Sequence, residues 1–278
     1  MWLNQLYHID ELNHLEDLLD FRPMAKAAKT STDAPFPGVP LAAPLYREVK
    51  RQLMEALSRG EWKPGDAIPA ERHLAERYGI SIGTVRRAID ELVADNMLIR
   101  QQGRGTFVAS HNRDRLLFYF FHVVPQDGAK EYPVVRLLAF AKGKADKLAS
   151  ETLSIAIGDP IFRFRNLLSL SGESVIIDDI AVSATRFPGM TERAIRDRPS
   201  TVYNLYQDAF GISVVRTVER LRATAVDEEI ASLLHVAPGA PLLQIRRVAL
   251  TYSDVPVELR ISHVNTAHHE YWSELKQH

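Results

Sequence analysis

Between residues 44 and 109 the apolar positions recur every three or four residues, which is the period of a helix. The first predicted helix begins at Pro44, ends at Gly60 and has an apolar stripe made of Leu45, Val49, Leu53, Ala56 and Leu57. A second helix is predicted over about 70–78, and Ser81 can cap a third that runs to about Asp95. Two short apolar runs, 97–100 and 106–108, then predict strands joined by a glycine-containing hairpin.

From residue 116 to residue 272 the pattern alternates between strand-like and helix-like runs. Strands are predicted over 116–124, 161–170, 174–182, 214–223, 241–252 and 255–264. Helices are predicted over 133–138, 146–151, 201–210 and 227–234. Long antiparallel strands with a few covering helices indicate an α+β domain.

The sequence before residue 44 has a different character. Residues 1–22 carry leucine and isoleucine at helical spacing, and residues 23–43 are rich in proline, as a linker would be. The helix could form a partner or dimer contact, or translation could start at Met24. The predicted divisions are therefore an extension over 1–43, a domain over 44–110, a linker over 111–115 and a second domain over 116–272.

Composition narrows the function classes. The chain has 278 residues, a formal net charge of −1 and no cysteine. Disulfides and cysteine-based metal or catalytic sites are thereby excluded, and nucleic-acid binding would need a local basic patch. We expect no signal peptide, no membrane span, a cytoplasmic location and no cofactor. His263 and His268 are more simply explained as surface or core residues than as metal ligands.

The helix pair 70–78 and 81–95 is typical of a helix-turn-helix, in which the later helix enters the major groove of DNA. Its exposed start offers hydroxyl and guanidinium groups that can bind phosphates or base edges. The candidate DNA-binding residues are Arg72, Ser81, Thr84, Arg86, Arg87, Gly103, Arg104 and Gly105. The plain alternative is a small helical domain with a solvated basic face.

Three motifs in this region carry a family resemblance. Residues 69–75 (PAERHLA), 84–88 (TVRRA) and 102–108 (QGRGTFV) resemble the ordered signatures of GntR-family transcription factors. The resemblance implies a winged helix in which Arg72, Ser81 and Thr84 hold phosphates and Arg86 binds a base edge or an adjacent phosphate. Arg104 and Gly105 would reach the minor groove or the backbone. Ala70 and Ile82 depart from the pattern, because serine and arginine are usual there.

The second domain resembles the UTRA sensor domain of the HutC-like GntR subfamily. The supporting segments are 159–165, 187–189, 201–205, 233–243 and 255–258. The resemblance implies a winged helix-turn-helix followed by a mixed, mainly antiparallel sheet.

A candidate anion site follows from strand spacing in this domain. Arg163 and Arg165 lie two apart and so share one face of a strand, as do Glu258 and Arg260. Two guanidiniums beside a carboxylate can bind a small polar anion. The resemblance implies effector contacts for Arg163, Arg165 and Glu258, with Arg136 and Ser183 as further candidates. The alternative is that these residues form exposed cross-strand ion pairs, which are common and weak.

The resulting hypothesis is a homodimeric repressor that binds double-stranded operator DNA and responds to a small anionic metabolite. Coupling between the two functions is expected in the linker at His111, Asn112 and Arg113. Two rival hypotheses stay open. One is an enzyme built on the second domain, although the sequence contains no nucleophile elbow or phosphate loop. The other is a DNA-binding protein that needs no effector, or an activator.

Overall fold

The computed structural model describes residues 44–111, 119–128 and 130–273. The helix predicted over 1–22, the linker over 23–43, and Asn112 and Arg113 lie outside the described residues. None of the helices in the described ranges combines the length and the apolar composition needed to cross a lipid bilayer.

The N-terminal part is a three-helix unit with a two-stranded wing. Its elements are α1 (Leu45–Ser58), α2 (Glu71–Tyr78), α3 (Ile82–Ala94), β1 (Leu98–Gln101) and β2 (Gly105–Val108). The apolar stripe of α1 is buried against α3 through Val49, Leu53, Val85 and Leu92. Gly79 ends α2 in the left-handed conformation, and the Ser81 side chain caps α3 by accepting the N–H of Thr84. The predicted helix-turn-helix and wing are therefore present.

The C-terminal part is built on a six-stranded antiparallel sheet in the order β4-β5-β6-β9-β8-β7. These strands are β4 (Val134–Lys144), β5 (Pro160–Leu170), β6 (Glu173–Ser183), β7 (Arg216–Ala225), β8 (Pro241–Leu250) and β9 (Pro256–Val264). A separate two-stranded sheet pairs β3 (Val123–Pro125) with β10 (His269–Tyr271).

Four helices cover the two faces of the large sheet: α4 (Lys147–Leu153), α5 (Glu192–Arg196), α6 (Val202–Phe210) and α7 (Glu228–Leu234). We call the face covered by α5 and α6 the α6 face, and its core contains Phe164, Ile180, Tyr203 and Tyr206. The opposite side, the α7 face, packs Ile161, Ala181 and Leu259 against α4, and Leu167 and Ile177 against α7.

Two predicted elements were wrong. The run 133–138 was expected to be helical, but it begins β4, whose Val134 and Val135 pair with Ser169 and Leu168 of β5. Valine has two heavy atoms on Cβ and favours the extended backbone, so the pairing prevails over the helical spacing. The strand expected over 116–124 is confined, within the described residues, to Val123–Pro125.

Candidate nucleic-acid interface and ligand site

An open groove of about 640 Å³ lies between the start of α2, the first turn of α3 and the wing. The side chains of Arg72, Arg86 and Arg104 line it together with Gly105 and Ile82. Arg72 and Arg86 are exposed, with side-chain exposures of 80% and 58%. The structure thus gathers guanidinium groups from three separate sequence motifs around one concave surface.

Acidic partners hold Arg72 and Arg86 in place without burying them. Glu71 accepts from Arg86 Nε at 2.8 Å and from Arg100 Nη2 at 2.9 Å, and Asp90 binds Arg100 at 2.8 Å. Arg72 Nε lies 3.2 Å from Glu76 on the next turn of α2. Exposed pairs of this kind contribute at most about 1 kcal/mol, so a DNA phosphate or base can replace the carboxylate at little cost.

The hydroxyl groups lie at the helix start, where the free N–H groups favour an anion. Ser81 Oγ accepts the N–H of Thr84 at 3.2 Å and lies 2.9 Å from Thr84 Oγ1. Both hydroxyls therefore lie at the positively polarised N-terminus of α3, which is suited to a phosphate. The wing tip is shaped by Gly103 and Gly105, whose φ angles of +71° and +114° disfavour other residues.

Arg87 is placed differently from the other candidates. Its guanidinium lies 4.0 Å from the centroid of the Tyr46 ring on α1, and it does not line the groove. This is a cation–π contact between two helices of the domain.

In the C-terminal sheet, the strand register separates the residues that the sequence suggested as one site. Arg163 pairs with Ala181, and Ala181 pairs with Leu259. Directly opposed residues share a face, so Arg163 and Arg165 lie on the α7 face and Glu258, next to Leu259, lies on the α6 face. The expected cluster of two arginines with Glu258 is therefore wrong as a single site.

On the α7 face the two arginines already have carboxylate partners. Arg163 Nη2 lies 2.5 Å from Asp146, the capping residue of α4. Arg165 binds Asp179 at 2.7 Å across the strand pair and Glu229 of α7 at 2.7 Å. Ser183 pairs with Ile161 and is buried on this side, whereas Arg136 is exposed on β4 opposite Leu167. The cross-strand ion pair considered as an alternative is present at Arg165, but it is largely buried and not exposed as expected.

The α6 face contains a buried charged network. Glu258 is fully buried and accepts from the hydroxyls of Tyr203 at 3.2 Å and Tyr206 at 2.8 Å. Arg260 Nε donates to Glu258 at 3.0 Å, and its Nη1 donates to Asp178 at 2.9 Å. Burial and the Glu258 charge raise the pKa of Tyr203 to about 12, so this hydroxyl stays a donor.

A second buried arginine lies opposite Arg260 on the neighbouring strand. Arg247 pairs in register with Arg260, binds Glu219 and donates to the carbonyl of Phe120 at 2.5 Å. Burial alone would raise the pKa of Glu219, but Arg247 and the Tyr271 hydroxyl together lower it. A cavity of about 30 Å³, lined by Asp178, Arg247, Arg260 and Ser262, lies beside the network. It has room for about one water molecule.

One guanidinium on this face has an unpaired nitrogen. Arg198, in the segment between α5 and α6, donates Nη1 to the carbonyl of Ile195, but its buried Nε has no hydrogen-bond partner. Burial lowers the pKa of Arg198, and Arg260 lowers it further while Tyr206 and Asp178 oppose. Within the described ranges Arg198 forms no ion pair with a carboxylate.

The first predicted linker residue joins the network through α6. His111 is buried, and its N–H donates to Gln207 at 2.8 Å while its carbonyl accepts from Asn204 at 3.2 Å. Its ring contacts Tyr203 with centroids 5.8 Å apart. Tyr203 in turn bonds Glu258, so three residues connect the end of the winged helix to the centre of the sheet.

Comparison with known proteins decides the family. Residues 45–108 match the description "Bacterial regulatory proteins, gntR family", and residues 129–270 match "UTRA domain". The chain belongs to the GntR family and carries a UTRA domain. The α+β fold and the order of the two domains, inferred from the motifs, are confirmed.

Two curated relatives of this GntR chain are named as repressors. It is 30% identical over 220 residues to the "probable fructoselysine utilization operon transcriptional repressor" of Escherichia coli strain K12, covering 77% of this chain and 88% of the relative. It is 31% identical over 208 residues to the histidine utilization repressor of Klebsiella aerogenes, covering 74% and 84%.

A solved structure resembles the UTRA part. The ligand-binding domain of a GntR-family regulator from Bordetella bronchiseptica is 33% identical, covers 57% of this chain and 99% of that chain, and has a TM-score of 0.54.

Sequence reasoning missed several residues of this GntR protein. Glu71 binds Arg86 of the groove and Arg100 of β1, although it sits inside a motif that was recognised. Arg198 comes from a segment that is distant in sequence and Arg247 from the neighbouring strand β8, and the fold brings both of them near Arg260. The one available signal was the pair Glu258 and Arg260, whose spacing of two correctly places both on one face.

Proposed function

We propose that this GntR-family chain is a transcriptional repressor that binds a double-stranded operator through α3 and the wing, as a homodimer. A small anionic metabolite bound on the α6 face of the UTRA domain would regulate that binding. The observation that carries the DNA-binding part is the groove, where Arg72, Arg86 and Arg104 converge from three motifs. The repressor names of the relatives support the same conclusion.

The residues in and around the groove are suited to different kinds of DNA contact. Arg86 lies on the exposed side of α3 one turn from its start, where a helix-turn-helix protein contacts base edges. Ser81, Thr84 and Arg72 surround the helix N-terminus and are placed for backbone phosphates. Arg104, between two glycines at the wing tip, can reach a neighbouring groove. Arg87, stacked on Tyr46, would stabilise the domain or reach only a flanking phosphate.

The α6 face is the better candidate for the effector. Arg163 and Arg165 would have to give up Asp146, Asp179 and Glu229 to bind an anion. Arg198 has a buried N–H without a partner beside Arg260, and an anion there would satisfy it while remaining in an environment of low dielectric constant. Tyr203 and Glu258 are buried and bonded to each other, so they would support this site from behind through Arg260.

Helix α6 on the same face also contacts His111, which directly follows the DNA-binding domain. A ligand that moves Tyr203 or α6 would also move His111, which α6 holds by two hydrogen bonds and a ring contact. Regulation requires that the ligand binds two arrangements of the chain with different affinity. The predicted coupling in the linker is thus proposed to begin at His111.

The DNA-binding proposal is tested by fluorescence anisotropy with full-length protein. The probe is the operator recovered by selection from random duplex DNA, and the titration is repeated at two salt concentrations. Specific binding that weakens steeply with salt supports the proposal, because each phosphate contact releases counterions. Failure to enrich any sequence would contradict it.

The effector site is tested by thermal shift against a panel of small carboxylates and phosphate esters. The variant is Arg198→Ala, and the matched control is Arg163→Ala, a part-buried arginine on the opposite face. We expect the ligand-induced rise in melting temperature to be lost in Arg198→Ala and retained in Arg163→Ala. The reverse result would place the effector on the α7 face.

A further inference from the structure

An exposed isoleucine lies in the proposed DNA groove. Ile82 is the first residue of α3, directly after the capping Ser81, and 42% of it is exposed. It lines the groove together with Arg72, Arg86 and Arg104. A single exposed apolar side chain is ordinary on a protein surface. Here its position is informative, because it lies at the end of the recognition helix that approaches base edges.

The orientation of Ile82 follows from helical spacing. Ile82 and Arg86 are four residues apart, so their side chains lie one above the other on the same face of α3. Four residues is also one helical turn, or about 5–6 Å between Cβ atoms. Base pairs are stacked about 3.4 Å apart, so when Arg86 is against one base pair, Ile82 can reach a base pair one or two steps away.

The chemistry of Ile82 limits what it can recognise. An aliphatic side chain has neither a donor nor an acceptor, so it cannot bind a phosphate or the polar edge of a base. In the major groove the apolar group it can match is the 5-methyl group of thymine. The β-branched side chain has one strongly preferred rotamer in a helix, so little conformational freedom is lost on contact.

We propose that Ile82 is a specificity-determining residue that contacts the 5-methyl group of a thymine one or two base pairs from the one bound by Arg86. The inference rests on the proposed DNA-binding function and adds a base that each half-site of the operator should contain. Covering one methyl group is worth a factor of about four in affinity, from about 0.8 kcal/mol per buried carbon.

The test removes only that methyl group. Each thymine of the selected operator is replaced in turn by deoxyuridine, and binding of the full chain is measured by anisotropy. We expect one thymine in each half-site whose replacement weakens wild-type binding about fourfold. Ile82→Ala should bind the thymine and deoxyuridine operators equally, whereas Ile82→Val should keep part of the difference.

The controls separate this proposal from the function on which it rests. If wild-type protein binds the operator but no deoxyuridine replacement weakens binding, the methyl contact is refuted and DNA recognition stands. If Ile82→Ala remains as sensitive to deoxyuridine as wild type, another residue makes the contact. If no operator is enriched at all, the DNA-binding function itself fails. Equal melting temperatures of wild type and Ile82→Ala would confirm that the variant is folded.

Discussion

Arginine serves two different purposes in the two domains. In the winged helix, Arg72 and Arg86 are mostly exposed and each has one carboxylate neighbour on the surface. In the UTRA sheet, Arg247 and Arg260 are buried, and each has several hydrogen-bond partners. An exposed, loosely paired arginine can exchange its partner for a ligand, whereas a buried, fully paired one mainly holds the structure together.

One arginine of the UTRA domain, Arg198, belongs to neither group. Arg198 is half-buried and its buried Nε has no hydrogen-bond partner, whereas Nε of Arg86 and Nε of Arg260 are both paired. An unsatisfied buried N–H is unfavourable by about 1–3 kcal/mol, and a ligand that accepts a hydrogen bond from it would remove this cost. We therefore expect ligand binding to stabilise the UTRA domain more than a contact of the same size on its surface.

The largest effect is expected from removing a buried arginine. Arg260→Leu leaves Glu258 and Asp178 buried without a counter-charge, and breaking a buried pair in this way costs about 3–5 kcal/mol of unfolding free energy. Chemical denaturation monitored by circular dichroism measures the loss. Arg193→Leu, whose side chain is 90% exposed, is the control and should change stability little. Equal stability of the two variants would show that the network is not structural.

An intermediate effect is expected from Arg86→Ala. Loss of a bidentate base contact is worth about 1–3 kcal/mol, or about 5- to 150-fold in operator affinity. The matched control is Arg51→Ala, an arginine of α1 with similar exposure that lies outside the groove. Anisotropy titrations should show the loss only for Arg86→Ala. An equal loss for both variants would mean that binding depends on total charge and not on the groove.

A smaller and opposite effect is expected from Ala70→Ser. Ala70 occupies the cap of α2 and makes no side-chain hydrogen bond to the helix. A serine there can accept an unpaired N–H of the first turn and should stabilise the domain by about 1 kcal/mol. Thermal denaturation of the full chain checks this. The reciprocal change, Ser81→Ala at the cap of α3, should destabilise by a similar amount, because Ser81 does accept such a bond.

The smallest effect concerns mild acid. Burial lowers the pKa of His263 and of His122 below the usual 6.5. Below pH 6.5 the unfolded chain therefore takes up protons that the folded chain does not, so stability present at higher pH is lost as the pH falls. We expect the melting temperature to fall between pH 7.5 and pH 5.5, and to fall less in His263→Gln. His73→Gln, an exposed histidine of α2, should leave the fall unchanged.

The sequence was most informative where neighbours in the chain act together. The groove residues lie within three short motifs, and local helix caps and turns place them, so Arg72, Arg86 and Arg104 could be assigned to one surface. Arg87 shows the limit of that approach, because its contact with Tyr46 depends on how α3 crosses α1.

The ligand site depends on long-range register, which spacing alone does not provide. Strand period two correctly placed Arg163 with Arg165, and Glu258 with Arg260. Whether these two pairs share a face depends on the register of β5, β6 and β9. A shift of one residue in that register would place both pairs on the same face. The same reason explains why the 133–138 segment was expected to be a helix: its strand partner lies about thirty residues later.

The most direct test of the account is an operator titration by fluorescence anisotropy, with and without each anion that raises the melting temperature. The account predicts tight, salt-sensitive binding by the wild-type protein that at least one such anion weakens. In Arg198→Ala the DNA binding should persist and the response to the anion should be lost. Release of the operator from Arg198→Ala at the same anion concentration as from wild type would contradict the proposed site on the α6 face.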